Sequence, residues 1–346
     1  MKKIKWSGMK TLIVILIILI IVAGVLLGIK IYEDRNKQGE PISLGTEMGK
    51  EEEKKEFNIY PGTDRPIAVM IDNHKAAWPQ AGLNDAYAVY EIIVEGGETR
   101  LMALFKGKDL EKIGPVRSAR HYFLDYAMEN NAIYVHYGWS PQAESDIATY
   151  KINNINGITN DNGFWRVKDK SAPHNAVTST AKILELAKEK KYKTNSNQES
   201  VLNYTHDEVT LEDGQIANEI KIPYSTLHTV SYQYDESSKT YIRYARGTEM
   251  KDWETKEPVK TKNIIITFAE NYTLKDPDNK DRQGLKNTGE LDGYYITNGK
   301  AIKIKCQKED RTKATVYKDL NGNKIEINDA NTFIQICPID AKVTIE

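Results

Sequence analysis

The chain has 346 residues, and its 48 Lys and Arg against 49 Asp and Glu leave a formal net charge of -1, without the basic bias that a nucleic-acid partner would require. Two cysteines in such a length exclude a disulfide-stapled mini-scaffold, and a hydrophobic content of 40% is enough to build packed cores without staples. The length exceeds one typical domain, so two compact domains behind any targeting segment are the natural expectation.

In chain order, residues 1–10 carry Lys2, Lys3, Lys5 and Lys10 and read as a cytoplasmic tail. Residues 11–30 read as a transmembrane anchor. Thr11 to Ile29 is uncharged and almost wholly apolar, and at ~1.5 Å per residue a helix there nearly crosses a ~30 Å hydrocarbon core. The lysines precede it and Glu33 and Asp34 follow, so the positive-inside rule puts the N-terminus in the cytoplasm. The protein is then expected in the cell membrane as a single-pass chain with its domains extracytoplasmic. The rival is a cleaved signal peptide, but the apolar run is longer than a usual one and no small-x-small site follows. Residues 31–56, polar and carrying Glu51-Glu52-Glu53, read as a tether.

Residues 57–197 alternate strand-like and helical patterns, the mark of an α/β domain with a mixed sheet and flanking helices. Pro66–Ile71, Leu101–Phe105 and Ala132–Val135 are short buried-strand patterns. Ala86–Val94 fits a strand or a helix ending at Gly96-Gly97, and its Val, Ile and Tyr content favours the strand. Ser118 is positioned to cap a helix through Glu129, whose apolar stripe is Tyr122, Phe123, Tyr126 and Ala127. Ser140-Pro141 reads as N-cap and N1 of a second helix to Tyr150, and Thr178 or Ser179 caps a third.

Residues 198–346 read as a β-rich domain. Asn298-Gly299 and Asn321-Gly322 are hairpin signals, and Asp276–Asn287 reads as an exposed loop. The tyrosines of this half read as cross-strand pairs rather than a carbohydrate platform. Cys306 and Cys337 lie in apolar alternating stretches and fit either one disulfide or two buried thiols.

The chemistry concentrates around Lys112–Tyr122, KIGPVRSARHY. Arg117 and Arg120 sit where a helix begins, and a helix N-terminus disfavours cations by roughly 0.3 to 1 kcal/mol each. Something negative must compensate: either an anionic ligand held by amides and guanidinium forks, or an internal partner among Glu91, Glu95, Glu98 and Asp125. His136 falls at a strand end ahead of the Ser140-Pro141 helix start, where open α/β sheets place ligands. Arg166, His174 and Asn175 lie in a long polar segment of the kind that forms functional lids. With His121, three histidines fall in rim segments, although each alone is more simply a satisfied polar group. No HExxH or other ligand spacing is present, so no metal and no cofactor are expected. Gly138-Trp139-Ser140-Pro141-Gln142 lacks the second glycine of a nucleophile elbow.

Four strings, EGGETR at 95–100, KIGPVRSAR at 112–120, HYGWS at 136–140 and APHN at 172–175, resemble the YerB-like envelope lipoproteins of Gram-positive bacteria. The likeness runs from Phe57 to the C-terminus and implies an N-terminal and a C-terminal domain, both of unknown function. The chain departs from the family in having Ile29, not a lipobox cysteine, after Leu26-Leu27-Gly28, and Trp78 where arginine is more usual. The order of elements is also similar, more distantly, to the LytR-CpsA-Psr envelope transferases, which hold a polyprenyl pyrophosphate with arginines and a metal. That likeness implies Arg100, Arg117 and Arg120 as the anion-holding charges, with Glu91, Glu95 or Asp125 as ligands of Mg²⁺. The leading reading is a non-enzymatic, membrane-anchored protein that binds an anionic, phosphate- or carboxylate-bearing envelope ligand. Its binding set is Arg100, Arg117, Arg120, His121, His136, Ser140, Arg166, His174 and Asn175. A phosphotransferase, and a ligand-free scaffold for a membrane-protein partner, are the alternatives.

Overall fold

The computed structural model describes residues 22–26, 56–275 and 280–346. The chain divides into two units, Met1–Lys55 and Glu56–Glu346. In the first, residues 22–26 are helical; the tail 1–10, the remainder of the expected anchor 11–30 and the tether up to residue 55 lie outside the described residues. No helix among the described residues is long and apolar enough to cross a membrane.

The second unit is sheet-rich and mixed, with few helices. Its first part supplies β1 (Ile67–Asp72), β2 (Ala88–Ile93), β3 (Thr99–Phe105), β4 (Ile133–His136) and β5 (Asn154–Asn156). The helices are α1 (His121–Glu129), α2 (Pro141–Thr149) and α3 (Thr180–Glu189). The later part supplies β6 (Glu219–Pro223), β7 (Thr229–Asp235), β8 (Thr240–Ala245) and β9 (Asn263–Thr273). It ends with β10 (Gly289–Thr297), β11 (Lys300–Lys308), β12 (Val316–Lys318) and β13 (Thr332–Pro338).

The central sheet has the order β12-β11-β10-β9-β13-β2-β3-β1-β4-β5. β13 lies parallel to β2, Val89 opposite Phe333, so hydrogen bonding runs unbroken across the boundary drawn at 197/198. β1 pairs antiparallel with β3 and parallel with β4. These strands are buried on both faces, and their alternation sorts two cores. Ile67, Val69 and Ile71 pack with α3 and with a second sheet formed by β6, β7, β8 and short neighbours. Ala68 and Met70 pack with Tyr122, Phe123 and Tyr126 of α1 and Ala143 and Ile147 of α2.

Local signals account for several element boundaries. Ser140 caps α2 by accepting from Ala143 N–H, with Pro141 at N1, and Ser179 caps α3. Asn298 and Gly299, both at positive φ, form the two-residue turn between β10 and β11. Tyr234 and Tyr241 are direct cross-strand partners with ring centroids 5.1 Å apart.

The turn at Asn321-Gly322 does close a short hairpin, with the Lys318 to Lys324 bridge flanked by Asp319 N–H to Asn323 O at 2.8 Å and Ile325 N–H to Tyr317 O at 3.1 Å, and Asp319 Oδ1 accepts the Asn321 and Asn323 amides inside it. The expectation of an exposed loop is corrected. Within the expected loop 276–287, Gln283–Lys286 is a strand paired with the end of β9, and Asn287 is buried. Residues 276–279 lie outside the described residues. Of the two readings left open for Cys306 and Cys337, the structure has the buried free thiols. They belong to the cores on opposite faces of the sheet, and burial pushes both up to about 12.

Candidate anion site at the end of the central sheet

Beyond residue 69, where β4 stops pairing with β1, the 115–119 segment wedges between them. Asp72 N–H donates to Pro115 O and Arg117 N–H to Met70 O, both at 2.8 Å. On the other side Tyr137 N–H donates to Arg117 O at 3.0 Å and Ala119 N–H to Gly138 O at 2.9 Å. Gly114 makes the entry: its φ is +137°, and a Cβ there would sit 2.8 Å from Val116 N. Because these amides are satisfied by flanking chains, the helix does not begin at Ser118. Ser118 Oγ instead donates to Tyr137 O at 2.9 Å, α1 starts at His121, and Arg120 occupies the N-cap position without a side-chain cap. The expected Ser118 cap is therefore absent.

The wedge gathers charge at the carboxyl end of β1. Asp72 Oδ2 accepts from His174 Nδ1 at 2.7 Å and lies 3.3 Å from Arg117 Nε, while Asp72 Oδ1 accepts the His74 amide at 3.0 Å. His74 stacks on His174, with ring centroids 4.5 Å apart and planes at 17°. Arg120 forms a two-pronged pair with Glu95, at 2.5 and 2.8 Å, so its compensation is internal. Burial raises the Glu95 carboxyl, but its bonds to Arg120 outweigh that and leave it below the usual range.

Arg100, opposite Asp72 in the β1–β3 register, differs from its neighbours. It is 7% exposed and, among the described residues, forms no ion pair. Its one hydrogen bond runs from Nη1 to the Ser118 carbonyl at 2.7 Å. Burial and then the nearby Arg120 lower its guanidinium to about 10, against the weaker pull of Glu95 and Asp72.

Glu91 lies in a separate cluster under the second sheet. Its Oε2 is 2.9 Å from Arg243 Nη2 of β8, and Oε1 accepts from Thr99 Oγ1 at 2.7 Å and Asn73 Nδ2 at 3.1 Å. His228 Nε2 lies 3.2 Å from the same Oε1, and Nδ1 of that ring accepts from Arg246 Nε at 3.3 Å. Arg246 in turn pairs with Glu98. Burial pushes Glu91 upward, but Arg243 and His228 overcome it and hold it at about 2.

The other nominated residues have structural partners. His136 is fully buried, with Nδ1 2.8 Å from Gly138 O and Nε2 3.1 Å from Asn154 Oδ1. Ser140 is the α2 cap described above. Arg166 donates to Asn175 Oδ1 at 2.6 Å and lies over the Tyr137 ring, closing a small hairpin between 165–166 and 176–177 where a long lid was expected. His121 and Asp125 belong to a different cluster, with Arg311 clamped between Asp125 at 2.8 Å and Asp146 at 2.6 Å. Burial pulls His121 down to about 4, with Arg311 adding to it. The carboxylates proposed to hold Mg²⁺ are thus each engaged by an arginine: Glu91 by Arg243, Glu95 by Arg120 and Asp125 by Arg311. Among the described residues no three His, Cys, Asp or Glu side chains gather as a metal set.

Sequence reasoning passed over Asp72, His74, His228 and Arg243. The run Asp72-Asn73-His74, directly after an apolar strand pattern, was the available signal for the first two. Nothing local marks the others.

A mixed sheet shared by two sequence segments, with an arginine-rich wedge at one end, defines the class. Two family models match the chain: protein of unknown function DUF3048, N-terminal domain, over residues 51–193, and its C-terminal domain over residues 220–334. "Putative lipoprotein YerB" of Bacillus subtilis (strain 168) is 32% identical over 289 residues, covering 79% of this chain and 81% of the relative. The crystal structure of YerB from Bacillus subtilis matches with a TM-score of 0.74 and 30% identity, covering 84% of this chain and 97% of that one. The chain belongs to this YerB-like, two-domain DUF3048 family.

Proposed function

We propose that the protein is a membrane-anchored component of the extracytoplasmic envelope that binds an anionic ligand at Arg100, with Arg117 beside it. The description of its relative as a lipoprotein and the apolar run at 11–29 support the location. The observation that carries the ligand reading is that, among the arginines of these two clusters, Arg100 is the buried one left without a carboxylate. Arg117, Arg120, Arg243 and Arg246 each face a carboxylate, and Arg100 has only the Ser118 carbonyl. A buried cation without a counter-charge is costly, and a phosphate or carboxylate oxygen would offset that cost through forked, charge-assisted bonds.

The test is calorimetric titration and thermal unfolding of the full chain in detergent with inorganic phosphate and acetate. At a hundredfold excess over Kd a bound anion adds about 2.7 kcal/mol of stability. Arg100→Met should abolish the shift and Arg120→Ala should retain it. Equal anion binding by wild type and Arg100→Met would remove the proposal.

A further inference from the structure

The stacked histidines beside Asp72 present opposite hydrogen-bonding faces. Nδ1 of His74 accepts the Ala76 backbone N–H at 3.1 Å, so that ring carries its proton on Nε2. Nδ1 of His174 points at the Asp72 carboxylate at 2.7 Å and must donate to it, so the neutral ring leaves an acceptor lone pair on Nε2. Neither Nε2 has a partner among the described residues, and neither is among the buried polar atoms sealed from solvent. A donor and an acceptor are therefore held on parallel rings 4.5 Å apart, fixed by two bonds to Asp72 and one to the backbone.

From this we infer that the His74 and His174 pair reads a hydroxyl group adjacent to the anion. The ligand class is a polyol phosphate, whose phosphate is taken by Arg100 and Arg117 and whose hydroxyl accepts from His74 and donates to His174. A hydroxyl is the common small group that does both at one atom, whereas a bare phosphate dianion has no proton to give His174. Arg117 couples the two halves of the site, since its Nε is 3.3 Å from the Asp72 oxygen that orients His174. This inference rests on the anion reading of Arg100.

The decisive comparison is titration of the full chain in detergent, at neutral pH, with glycerol 1-phosphate and with propyl phosphate, which has the same carbon chain without hydroxyls. Wild type should prefer the glycerol ester by about tenfold, the worth of two modest hydrogen bonds. His174→Phe and His74→Phe, which keep a flat ring in the stack, should each lower that preference while still binding propyl phosphate. Histidines that merely pin the loop would leave the two esters indistinguishable in wild type, and that result overturns the inference while the anion site stands. Binding of neither ester would overturn the anion site and this inference together. Thermal melting of each variant identifies misfolding; should His174→Phe misfold, His74→Phe decides alone.

Discussion

Thr99 and Arg100 are neighbours in β3, yet they serve opposite kinds of charge cluster. Thr99 joins Glu91, His228 and Asn73 under the second sheet, where the Glu91 and Arg243 side chains are 0% and 1% exposed. Arg100 turns to the Ser118 carbonyl and the wedge, where Arg117 remains 26% and His174 17% exposed. The first cluster matches its buried cation with a carboxylate, and only its outer Arg246 and Glu98 pair reaches solvent. The second has one guanidinium more than it has close carboxylates and keeps an open rim. Strand alternation alone separates them, and the difference teaches that one face of β3 joins the two segments through a matched ion pair while the other carries an unmatched guanidinium, the feature on which the proposed anion site rests.

Breaking the closed cluster should have the largest effect. Glu91→Ala leaves Arg243 buried without its counter-charge, and urea denaturation should show a loss of about 3 to 5 kcal/mol. Replacing both partners, as in Glu91→Leu with Arg243→Met, should recover most of that loss; a double variant as unstable as the single one would contradict the ion-pair account.

The same pair fixes an acid dependence. Glu91 is held at about 2 in the folded chain, below its ordinary 4.5, so its contribution is present above about 4.5 and is lost as pH falls through about 2. Unfolding free energy should therefore decline over that interval, and Glu91→Gln should flatten the decline. A variant with the wild-type slope would show that other carboxylates carry it.

The wedge should behave otherwise. Arg100→Met should leave the melting temperature unchanged or raise it, because a buried cation without a carboxylate is removed, while anion binding is lost. Arg120→Ala should cost about 1 kcal/mol through Glu95 and leave anion affinity within a few-fold. The smallest effect belongs to the rim of the β-rich part: Lys305 pairs with exposed Glu290 and Asp292, and Lys305→Ala should shift neither melting nor binding measurably.

Much of this was legible in residue order. β2 follows from its Val, Ile and Tyr content, α2 and α3 from their serine caps, and the β10–β11 turn from Asn298-Gly299, because each is set by contacts within a few residues. The four family strings converge on the same end of the sheet: Arg117 meets Pro173, Ser118 meets Tyr137 and Arg120 meets Glu95. The sequence also nominated the arginines and, as a rival explanation, Glu95, the partner of Arg120, but not Asp72, the partner of Arg117.

Choosing between those explanations required the tertiary structure. The Ser118 cap failed because distant chains supplied the wedge with partners, and Glu91 met Arg243, 152 positions away, rather than Arg117. Arg100 became the excess cation only by subtraction, after every neighbouring arginine had found its carboxylate. Local propensity acts over a turn or two of chain, so sequence determined β2, the capped helices α2 and α3 and the Asn298-Gly299 turn, but not the start of α1 or the strand Gln283–Lys286. Ion pairing acts through space over a few ångströms, so only the folded sheet decided which arginines met a carboxylate and that Arg100 did not.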